Sequence, residues 1–529
     1  MGRDSLPGEA LPPARELLVS GGDHRIAPDP MTGRNPYGCS LVTTSNVLPF
    51  GSSTCSGISP SALEVVDALR SRLAKMLGAT SPAQLYRQEM ERLRTQLLRM
   101  CGIDAASDTG LVFAASGTDV HLLAAQIARD DPTGRPLAVI TAGQSESGSG
   151  VHTALTGRHF GTCSALGRTT VRGQVVGGSG ETEIFDVPIR TPEGMPRDAE
   201  AVDAEIRMLV ERAVGKGRQV LLLLMDVSKT GCIAPGIAQV LALRQQWSSK
   251  VQVLVDACQF RIESSTLQAY LRHGFMVAVT GSKFLTGPPF SGALLLPPAL
   301  SATLRAGQLP DGLRAYSARE EWPHDWPIAR TLESHANFGL LARWQAAIHE
   351  LQAFQSVPSH LTREILQRFA TAVQSRLYRD SCFAALPVPA LDRTALRTVS
   401  AWDGIQTIHP FLLYRQTPQG DRVPLNRDET AAIHRSLCSV PPDCNEWAFQ
   451  VGQPVDCGHR SQIQVSALRL CMSARLVVQA TRDRDLGDRV IGRAMGCLDR
   501  IAALVNARAG QKFKVEPGAK VDSAAASPP

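Results

Sequence analysis

The sequence has no Cys-x-x-Cys pair, although it contains 12 cysteines among its 529 residues. The cysteines are spaced singly, and Cys457 with His459 is too isolated to indicate a zinc site, so no metal site is predicted. Several cysteines, such as Cys258 and Cys471, lie inside apolar runs. We therefore expect reduced and mostly buried thiols, as is typical of a cytoplasmic protein.

The sequence also lacks a long apolar run and a block of basic residues. No stretch reaches the roughly 18 apolar residues that a membrane span needs, and no basic region followed by an apolar segment opens the chain, so neither a membrane helix nor secretion is expected. The formal net charge is only +6, from 55 Lys and Arg against 49 Asp and Glu. Because the basic residues are scattered, we expect no nucleic-acid or membrane partner.

Short apolar runs alternate with amphipathic helices through the middle of the chain. The strand candidates are GLVFAA (110–115), PLAVIT (136–141), TEIFDVPI (182–189), QVLLLLMD (219–226), VQVLVD (251–256), FMVAVT (275–280) and GALLLP (292–297). Continuous apolar strands between helices predict an α/β fold with a mainly parallel sheet that is covered on both faces. In such sheets, ligands bind at the carboxyl ends of the strands.

The composition also suggests how the chain is divided. Both ends are rich in Pro, Ala and Ser and are predicted to be disordered tails. Long helices at about 333–378 and 484–508 flank strands near 407–415 and 463–472, which predicts a smaller C-terminal α+β domain. The predicted units are a tail (1–20), an N-terminal arm with helices (21–100), a large α/β domain (101–310), the α+β domain (311–514) and a second tail (515–529).

A small-residue turn, Ser116-Gly117-Thr118, follows the first predicted strand and opens a helix. A helix N-terminus offers free backbone N–H groups and a positive dipole end, and two hydroxyls beside them suit a phosphate. The alternative is a simple N-cap, because Ser and Thr are preferred at that position.

A carboxylate and a lysine follow two later strands. Asp256 ends a fully apolar strand, and Lys283 lies between two apolar runs in TGSKFLTG. A buried carboxylate needs a cationic or N–H partner, although Asp256 could also be an N-cap, and buried lysines are rare unless they are paired. Together with the phosphate turn, these residues describe a site for pyridoxal 5'-phosphate, whose aldehyde forms a Schiff base with a lysine and whose pyridine nitrogen needs a carboxylate.

The order Ser-Gly-Thr, then Asp-x-x-Gln, then Ser-Lys resembles the fold-type I pyridoxal phosphate enzymes over about residues 60–300. The closest similarity is to the class V aminotransferase and cysteine desulfurase-like branch. The resemblance implies that Lys283 is the Schiff-base lysine, that Asp256 pairs with the pyridinium and that the protein is a homodimer. The other cofactor contacts that it implies are Ser116, Gly117, Thr118, Thr280 and Ser282 at the phosphate, Gln259 at the phenolic oxygen, Ser228 or Lys229 beside the ring hydroxyl, and Thr286 with Gly287 in a loop that can reach the partner subunit's phosphate.

The sequence departs from that family where an aromatic or histidine ring normally stacks on the cofactor. Residues 141–152 read TAGQSESGSGVH and contain no aromatic side chain apart from His152. Gln144, Ser145, Glu146 or His152 could cover the ring instead. Glu146 is also a candidate second acid or base at the reacting centre, the alternative being a solvated loop charge.

Substrate carboxylates are usually bound by arginine, whose planar guanidinium donates two parallel hydrogen bonds. Arg469 lies in a predicted C-terminal strand and matches the position of the substrate-binding arginine in the family, with Arg475 as the second choice. Further candidates at the substrate entrance are the N-terminal stretches GGDHR (21–25) and GRNPYG (33–38), the latter with Asn35 and Tyr37, and the Gly-Gln-Pro at 452–454.

The resemblance implies an enzyme that acts on a small amino acid or amine, and transamination is the reaction that we expect. A lyase, a decarboxylase, a desulfurase or an enzyme that forms carbon–carbon bonds remains an alternative. A desulfurase would need a persulfide-accepting cysteine, for which residues 382, 438, 444 and 457 are candidates. A non-catalytic binding protein on the same fold is the alternative from another class.

Overall fold

The computed structural model describes residues 11–38, 40, 47–51, 56–104, 106–129, 134–177, 182–307, 309–399, 401–438 and 447–512. An eight-stranded sheet forms its centre, in the order β2-β9-β8-β7-β5-β3-β4 with β6 paired to β5. The strands are β2 (Gly110–Ala114), β3 (Leu137–Ala142), β4 (Thr182–Val187), β5 (Gln219–Asp226), β6 (Ile233–Ala234), β7 (Val251–Ala257), β8 (Met276–Thr280) and β9 (Gly292–Leu296).

The sheet is parallel except at β9 and β6, which run antiparallel to their neighbours. Every residue of β5 is buried, and successive residues alternate between two apolar clusters: Leu222 packs on one face and Leu223 on the other. This alternation is the period of a strand that is covered on both sides. The covering helices are α4 (Gly117–Arg129), α5 (Val151–Leu155), α6 (Ala199–Gly215), α7 (Ile237–Gln246), α8 (Ser264–Arg272) and α9 (Pro298–Ala306). The predicted α/β fold is therefore confirmed.

A second sheet lies in the C-terminal α+β unit, in the order β1-β13-β14-β11-β10 with β12 paired to β11. Its first strand, β1 (Val47–Phe50), comes from the N-terminal segment and runs parallel to β13 (Ala448–Arg460). The other strands are β10 (Phe383–Ala385), β11 (Ile408–Gln416), β12 (Arg422–Pro424) and β14 (Ile463–Cys471), and the helices are α11 (Ser359–Arg379), α12 (Arg427–Cys438), α13 (Ala474–Thr481) and α14 (Arg484–Lys512).

Helices join the two sheets. Both α2 (Pro60–Met76) and α3 (Pro82–Met100) begin with a serine cap followed by proline, which is the usual start signal of a helix. They pack against α10 (Phe338–Gln355), which also contacts α13. The long helix predicted at 333–378 is in fact two helices, α10 and α11, because Pro358 cannot continue a helix.

The N-terminal segment differs from its prediction. Residues 14–17 form the short helix α1 (Ala14–Leu17), and Leu17 and Leu18 are buried in an apolar cluster with residues of α2 and α10. Residues 11–20 are therefore part of the fold and not of a disordered tail, whereas 1–10 and 515–529 lie outside the described residues. Among the described helices, none combines the length and the apolar character that crossing a membrane requires.

Candidate functional site

A cavity of about 150 Å³ lies where the carboxyl ends of β2, β5, β7 and β8 meet the second sheet. The strand-end residues that were identified from the sequence come together there: its lining includes Ser116, Gly117, Thr118, Lys229, Asp256, Gln259, Thr280, Ser282, Lys283 and Arg469. Because parallel strands bring their carboxyl ends to one edge of the sheet, segments far apart in the sequence converge on this place.

Asp256, the last polar residue of β7, is the only carboxylate that the described part of the chain contributes to the cavity lining. Its Oδ1 accepts a hydrogen bond from the Cys258 N–H at 3.1 Å, and its Oδ2 lies 3.3 Å from Nε2 of His121. Burial acts to raise the pKa of Asp256, but the attraction to His121 and Lys283 outweighs it and holds this pKa well below its ordinary value. The carboxylate is thus kept ionised.

His121 is held on its other side by the backbone of its own helix. Its Nδ1 lies 2.6 Å from the carbonyl oxygen of Gly117, one turn earlier in α4. A carbonyl only accepts, so Nδ1 carries a hydrogen in this arrangement. The ring of His121 thus lies between the first turn of α4 and the Asp256 carboxylate.

One end of the cavity is formed by the first turn of α4 together with Arg25 from the N-terminal segment. The Arg25 guanidinium donates to the Thr118 hydroxyl at 3.2 Å and to the Ser116 hydroxyl at 3.3 Å. It also forms a 2.5 Å ion pair with Asp23. A helix N-terminus, two hydroxyls and a guanidinium therefore converge on one spot, which is a suitable environment for an oxyanion.

Asp119 lies behind this turn and accepts from the Ser116 hydroxyl at 2.5 Å. Burial, and then the nearby Asp23 carboxylate, raise the pKa of Asp119 to about 7. The turn packs closely on β9, where a Cβ on Gly292 would lie only 2.5 Å from the Ser116 carbonyl oxygen. Because Gly292 has no side chain, the turn can lie in close contact with the sheet.

Lys283 projects into the cavity from the turn after β8. Ser282 and Thr280 line the same cavity, but the Thr280 hydroxyl donates to the Cys258 carbonyl at 2.6 Å. The chain then turns away from the cavity. Thr286 is fully buried with its hydroxyl on the Leu285 carbonyl, and Gly287 packs against α10.

This placement separates Thr286 and Gly287 from the other expected cofactor contacts. They lie behind the lysine and outside the cavity lining, and the Thr286 side chain is enclosed by its own chain, so it does not face a partner subunit. Arg475, the second choice for the substrate carboxylate, donates to the Thr286 carbonyl and pairs with Glu350 at 2.8 Å. Its role is therefore to tie this segment to α10.

Arg469 lies on β14 and lines the cavity, as expected for the substrate-binding arginine. Its two terminal nitrogens donate to the Lys229 carbonyl at 3.1 Å and the Gln453 carbonyl at 2.9 Å. Gly452, its partner in β13, leaves the room that the guanidinium occupies, since a Cβ there would lie 2.7 Å from Nε. These two backbone carbonyls therefore help to hold the guanidinium in place.

Glu146 and Ser228 meet each other outside the cavity. The Glu146 carboxylate accepts from the Ser228 hydroxyl at 2.5 Å and from Nε of Arg190 at 2.6 Å. Burial acts to raise the pKa of Glu146, but Arg190 and the hydrogen bonds lower it overall. The structure thus places Glu146 in an anchor that holds the loop after β3 to the turn after β5, and neither Glu146 nor Ser228 faces the place of reaction.

Asn35 likewise lies beside the cavity and not in its lining. Its side-chain oxygen accepts from the Tyr37 N–H at 3.0 Å, and Tyr37 enters the cavity with its ring centre 6.0 Å from that of Phe290. The stretch after β3 contributes Gly148, Ser149 and Val151 to the lining, whereas the four residues that were candidates for covering a ring do not line it.

Sequence reasoning gave no role to several lining residues, among them His121 and Phe290, and it considered Arg25 only as part of a stretch that could line the substrate entrance. A signal for His121 was present, because it lies four residues after Gly117 and therefore shares a face of the helix with the Ser-Gly-Thr turn. Phe290 lies in an irregular segment, and no local pattern marks it.

No known family profile matches the sequence, and no curated protein matches it. Solved structures are similar. The complex of the cystine C-S lyase C-DES with its product cysteine persulfide is 16% identical, with 85% of this chain and 97% of that one covered and a TM-score of 0.51.

A C-DES variant with glycine covalently linked to its PLP cofactor is also 16% identical, over 85% and 96% of the two chains, with a TM-score of 0.50. The cysteine desulfurase CsdA from Escherichia coli is 14% identical, over 87% and 95%, with a TM-score of 0.48. The sheet order agrees with the similarity to the two C-DES structures, and the chain has the fold of the fold-type I pyridoxal phosphate enzymes.

Proposed function

We propose that this protein is a pyridoxal phosphate-dependent enzyme that acts on an amino acid, and that its reaction is transamination. The observation that carries the proposal is the convergence of Lys283, Asp256 and the Ser116–Thr118 turn on one cavity. Each was identified separately from its position after a strand. Their meeting in space is what a single cofactor would require.

The donor set of the cavity fits pyridoxal phosphate at each of its polar groups. The first turn of α4 with Arg25 fits the phosphate, Asp256 fits the pyridine nitrogen, and Lys283 fits the aldehyde. The side-chain nitrogen Nε2 of His121 lies buried 3.3 Å from Oδ2 of Asp256, where it helps to hold that carboxylate in place. Gln259 lies beside Asp256 in the lining, where it fits the phenolic oxygen.

When bound, this cofactor supplies an electron sink for the bonds at the substrate's Cα. Lys283 would hold the cofactor covalently and is the amine placed to hold or move a proton at Cα. Asp256, fixed by His121, would keep the pyridine nitrogen protonated. Arg469 would bind and orient the substrate carboxylate, and the second sheet would exclude water from the cavity.

The described cysteines argue for transamination over desulfuration. A persulfide acceptor reacts as the thiolate. Burial, and then Asp256, raise the pKa of the Cys258 thiol in the cavity well above its ordinary value, and burial raises that of Cys457 to about 11. Of the other two candidates that are described, Cys382 is buried and Cys438 half-buried. Cys444 lies outside the described residues.

The absorption spectrum of the purified protein tests the cofactor assignment. Protein that has been supplied with pyridoxal phosphate should be yellow, and borohydride should fix the cofactor to Lys283, which peptide mass mapping will locate. Lys283→Ala should remove the covalent attachment, whereas Lys216→Ala, at an exposed lysine that ends α6, should not. A colourless protein, or fixation that is unchanged in Lys283→Ala, would refute the assignment.

Product analysis then tests the reaction. A panel of amino acids is incubated with a 2-oxo acid acceptor, and the new oxo acid, ammonia, carbon dioxide and sulfide are each measured. Transamination predicts an amino-group transfer that depends on the acceptor and releases none of the three small molecules. Acceptor-independent release of any of them would assign the enzyme to a lyase, decarboxylase or desulfurase class instead.

A further inference from the structure

The residues that line the cavity carry more positive charge than a cofactor site needs. Among the described lining residues, four are lysine or arginine, namely Arg25, Lys229, Lys283 and Arg469, and Asp256 is a carboxylate. Arg25 is paired with Asp23, and the proposed function assigns Lys283 to the cofactor and Arg469 to one substrate carboxylate. Lys229 has no role in that assignment.

Lys229 lies at the junction between the cavity and the outer cleft. The outer cleft is formed by residues 143–149, 186–191 and 454–458, and it shares Lys229, Gly148 and Ser149 with the cavity. A substrate that enters from the cleft would therefore pass the Lys229 ammonium on its way to Lys283.

The ammonium of Lys229 is poorly compensated by the protein. The hydrogen bond that is described for Nζ is a long one, 3.5 Å, to the Ser145 carbonyl. Glu146, the nearest acid along the loop, is bound by Arg190, Ser228 and Thr230. Burial, followed by the positive charges of Arg469 and Lys283, lowers the pKa of Lys229 to about 8. Like charges held together in this way are relieved by a bound anion.

Lys229 and Arg469 are also joined directly, because Arg469 donates to the Lys229 carbonyl at 3.1 Å. The two cations therefore keep a fixed relation to each other. Arginine offers a planar pair of donors that matches a carboxylate, whereas lysine acts as a point charge that accepts several anion shapes.

We propose that Lys229 binds a second acidic group of the substrate, so that the enzyme acts on amino acids whose side chain ends in an oxyanion. Arg469 holds the α-carboxylate, and Lys229 holds the carboxylate, phosphate or sulfonate of the side chain at the mouth of the outer cleft. This inference rests on the proposed function.

The experiment measures half-saturation of the cofactor-loaded enzyme by free amino acids, from the change in its absorption spectrum. Matched pairs differ only in charge: aspartate with asparagine, and glutamate with glutamine, while serine is compared with O-phosphoserine and cysteate to identify the preferred anion. We expect at least one acidic member to bind on the order of 10- to 100-fold more tightly than its neutral partner, as for a hydrogen bond between charged groups.

Variants assign that preference to the lysine. Lys229→Met should abolish the preference, measured within that variant as the ratio of half-saturation between each acidic amino acid and its neutral partner, and Lys229→Arg should retain most of it. Lys216→Met removes an exposed positive charge elsewhere and should change nothing. If a Lys229 variant folds poorly, the comparison of acidic and neutral amino acids on the parent enzyme still tests whether the substrate's side chain must carry an acidic group.

Three results would overturn the proposal. The first is equal binding of acidic and neutral partners by the parent enzyme, which would leave the proposed function intact. The second is a Lys229→Met enzyme whose cofactor affinity or resting spectrum changes, because Lys229 would then contact the cofactor and not the substrate. The third is an enzyme that responds to no amino acid of either kind, and this result alone would also reject the proposed function.

Discussion

Replacing His121 by phenylalanine should uncouple Asp256 from the helix that carries the phosphate turn. Phenylalanine keeps the size of the ring but removes both nitrogens, so the 2.6 Å contact with Gly117 and the 3.3 Å contact with Asp256 are lost. His121 is 1% exposed, so water cannot readily replace the missing N–H. The buried carboxylate is left with the Cys258 N–H and the more distant Lys283.

The size of the effect follows from the contact between the two side chains. Nε2 of His121 lies 3.3 Å from Oδ2 of Asp256, and an interaction of this kind with a charged group is worth about 1.5–3 kcal/mol net. We therefore expect a coupling of about 2 kcal/mol between His121 and Asp256 in the free energy of unfolding.

A double-mutant cycle in the cofactor-free protein measures this coupling near neutral pH. The four proteins are the parent, His121→Phe, Asp256→Asn and the double variant, unfolded in urea. Because Asn is uncharged, the double variant should be more stable than the sum of the two single effects predicts. In a separate titration, His121→Phe should bind pyridoxal phosphate on the order of tenfold more weakly. A coupling below about 0.5 kcal/mol would refute the reasoning, since distant sites deviate from additivity by that much.

Three further predictions concern other parts of the structure. Arg393→Met should destabilise the protein by about 3–5 kcal/mol in urea unfolding, because it leaves the fully buried Asp226 carboxylate without its cation; a loss under about 1 kcal/mol would contradict this. Gly452→Ala should raise the KM for amino acids at least about tenfold with little loss of cofactor affinity, because the new Cβ would lie 2.7 Å from Nε of Arg469 and would push the guanidinium aside. An unchanged KM would show that the guanidinium tolerates the methyl group. The pKa of Lys229 is lowered to about 8 in the folded protein, so its ammonium loses its charge as the pH rises through 8. The preference of the parent enzyme for acidic substrates should therefore fall in this pH range, whereas that of Lys229→Arg should persist. A preference of the parent enzyme that stays constant up to about pH 9.5 would contradict the assignment.

The lowered pKa of Lys229 also makes the stability of the folded protein depend on pH. An unfolded lysine has a pKa of about 10.4, so between about 8 and that value the unfolded chain binds more protons than the folded one. Stability therefore rises with pH in this window, while binding of an anionic substrate declines. A positive lysine at neutral pH is thus a cost to folding that a bound anion offsets.

Local patterns were sufficient for much of the site. The central strands of the large sheet, such as β5 and β8, are continuous apolar runs, which indicate burial on both faces regardless of the neighbouring strands. Ser116, Asp256 and Lys283 each follow such a run directly, so their place at the edge of the sheet follows from the chain itself. The serine caps with proline that begin α2 and α3 are equally local.

The helix predicted at 333–378 shows that local sequence patterns alone did not give the correct helix boundaries in this segment. The apolar pattern continues through Pro358, and periodicity alone does not end a helix there. Pro358 interrupts the helix, because proline supplies no N–H and its ring blocks the preceding turn. The position of this proline therefore predicts the helix boundary better than the apolar pattern on either side of it.

By itself, the sequence determined the order of the strands along the chain, the covered sheet and the polar residues at its carboxyl edge, because periodicity and strand ends are properties of neighbouring residues. Only the tertiary structure decided which of those residues meet. Arg25 reaches Ser116 across 91 residues of chain, and Glu146 turns from the cavity to Arg190, 44 residues away. Such pairings depend on charge and burial between segments that only packing brings together.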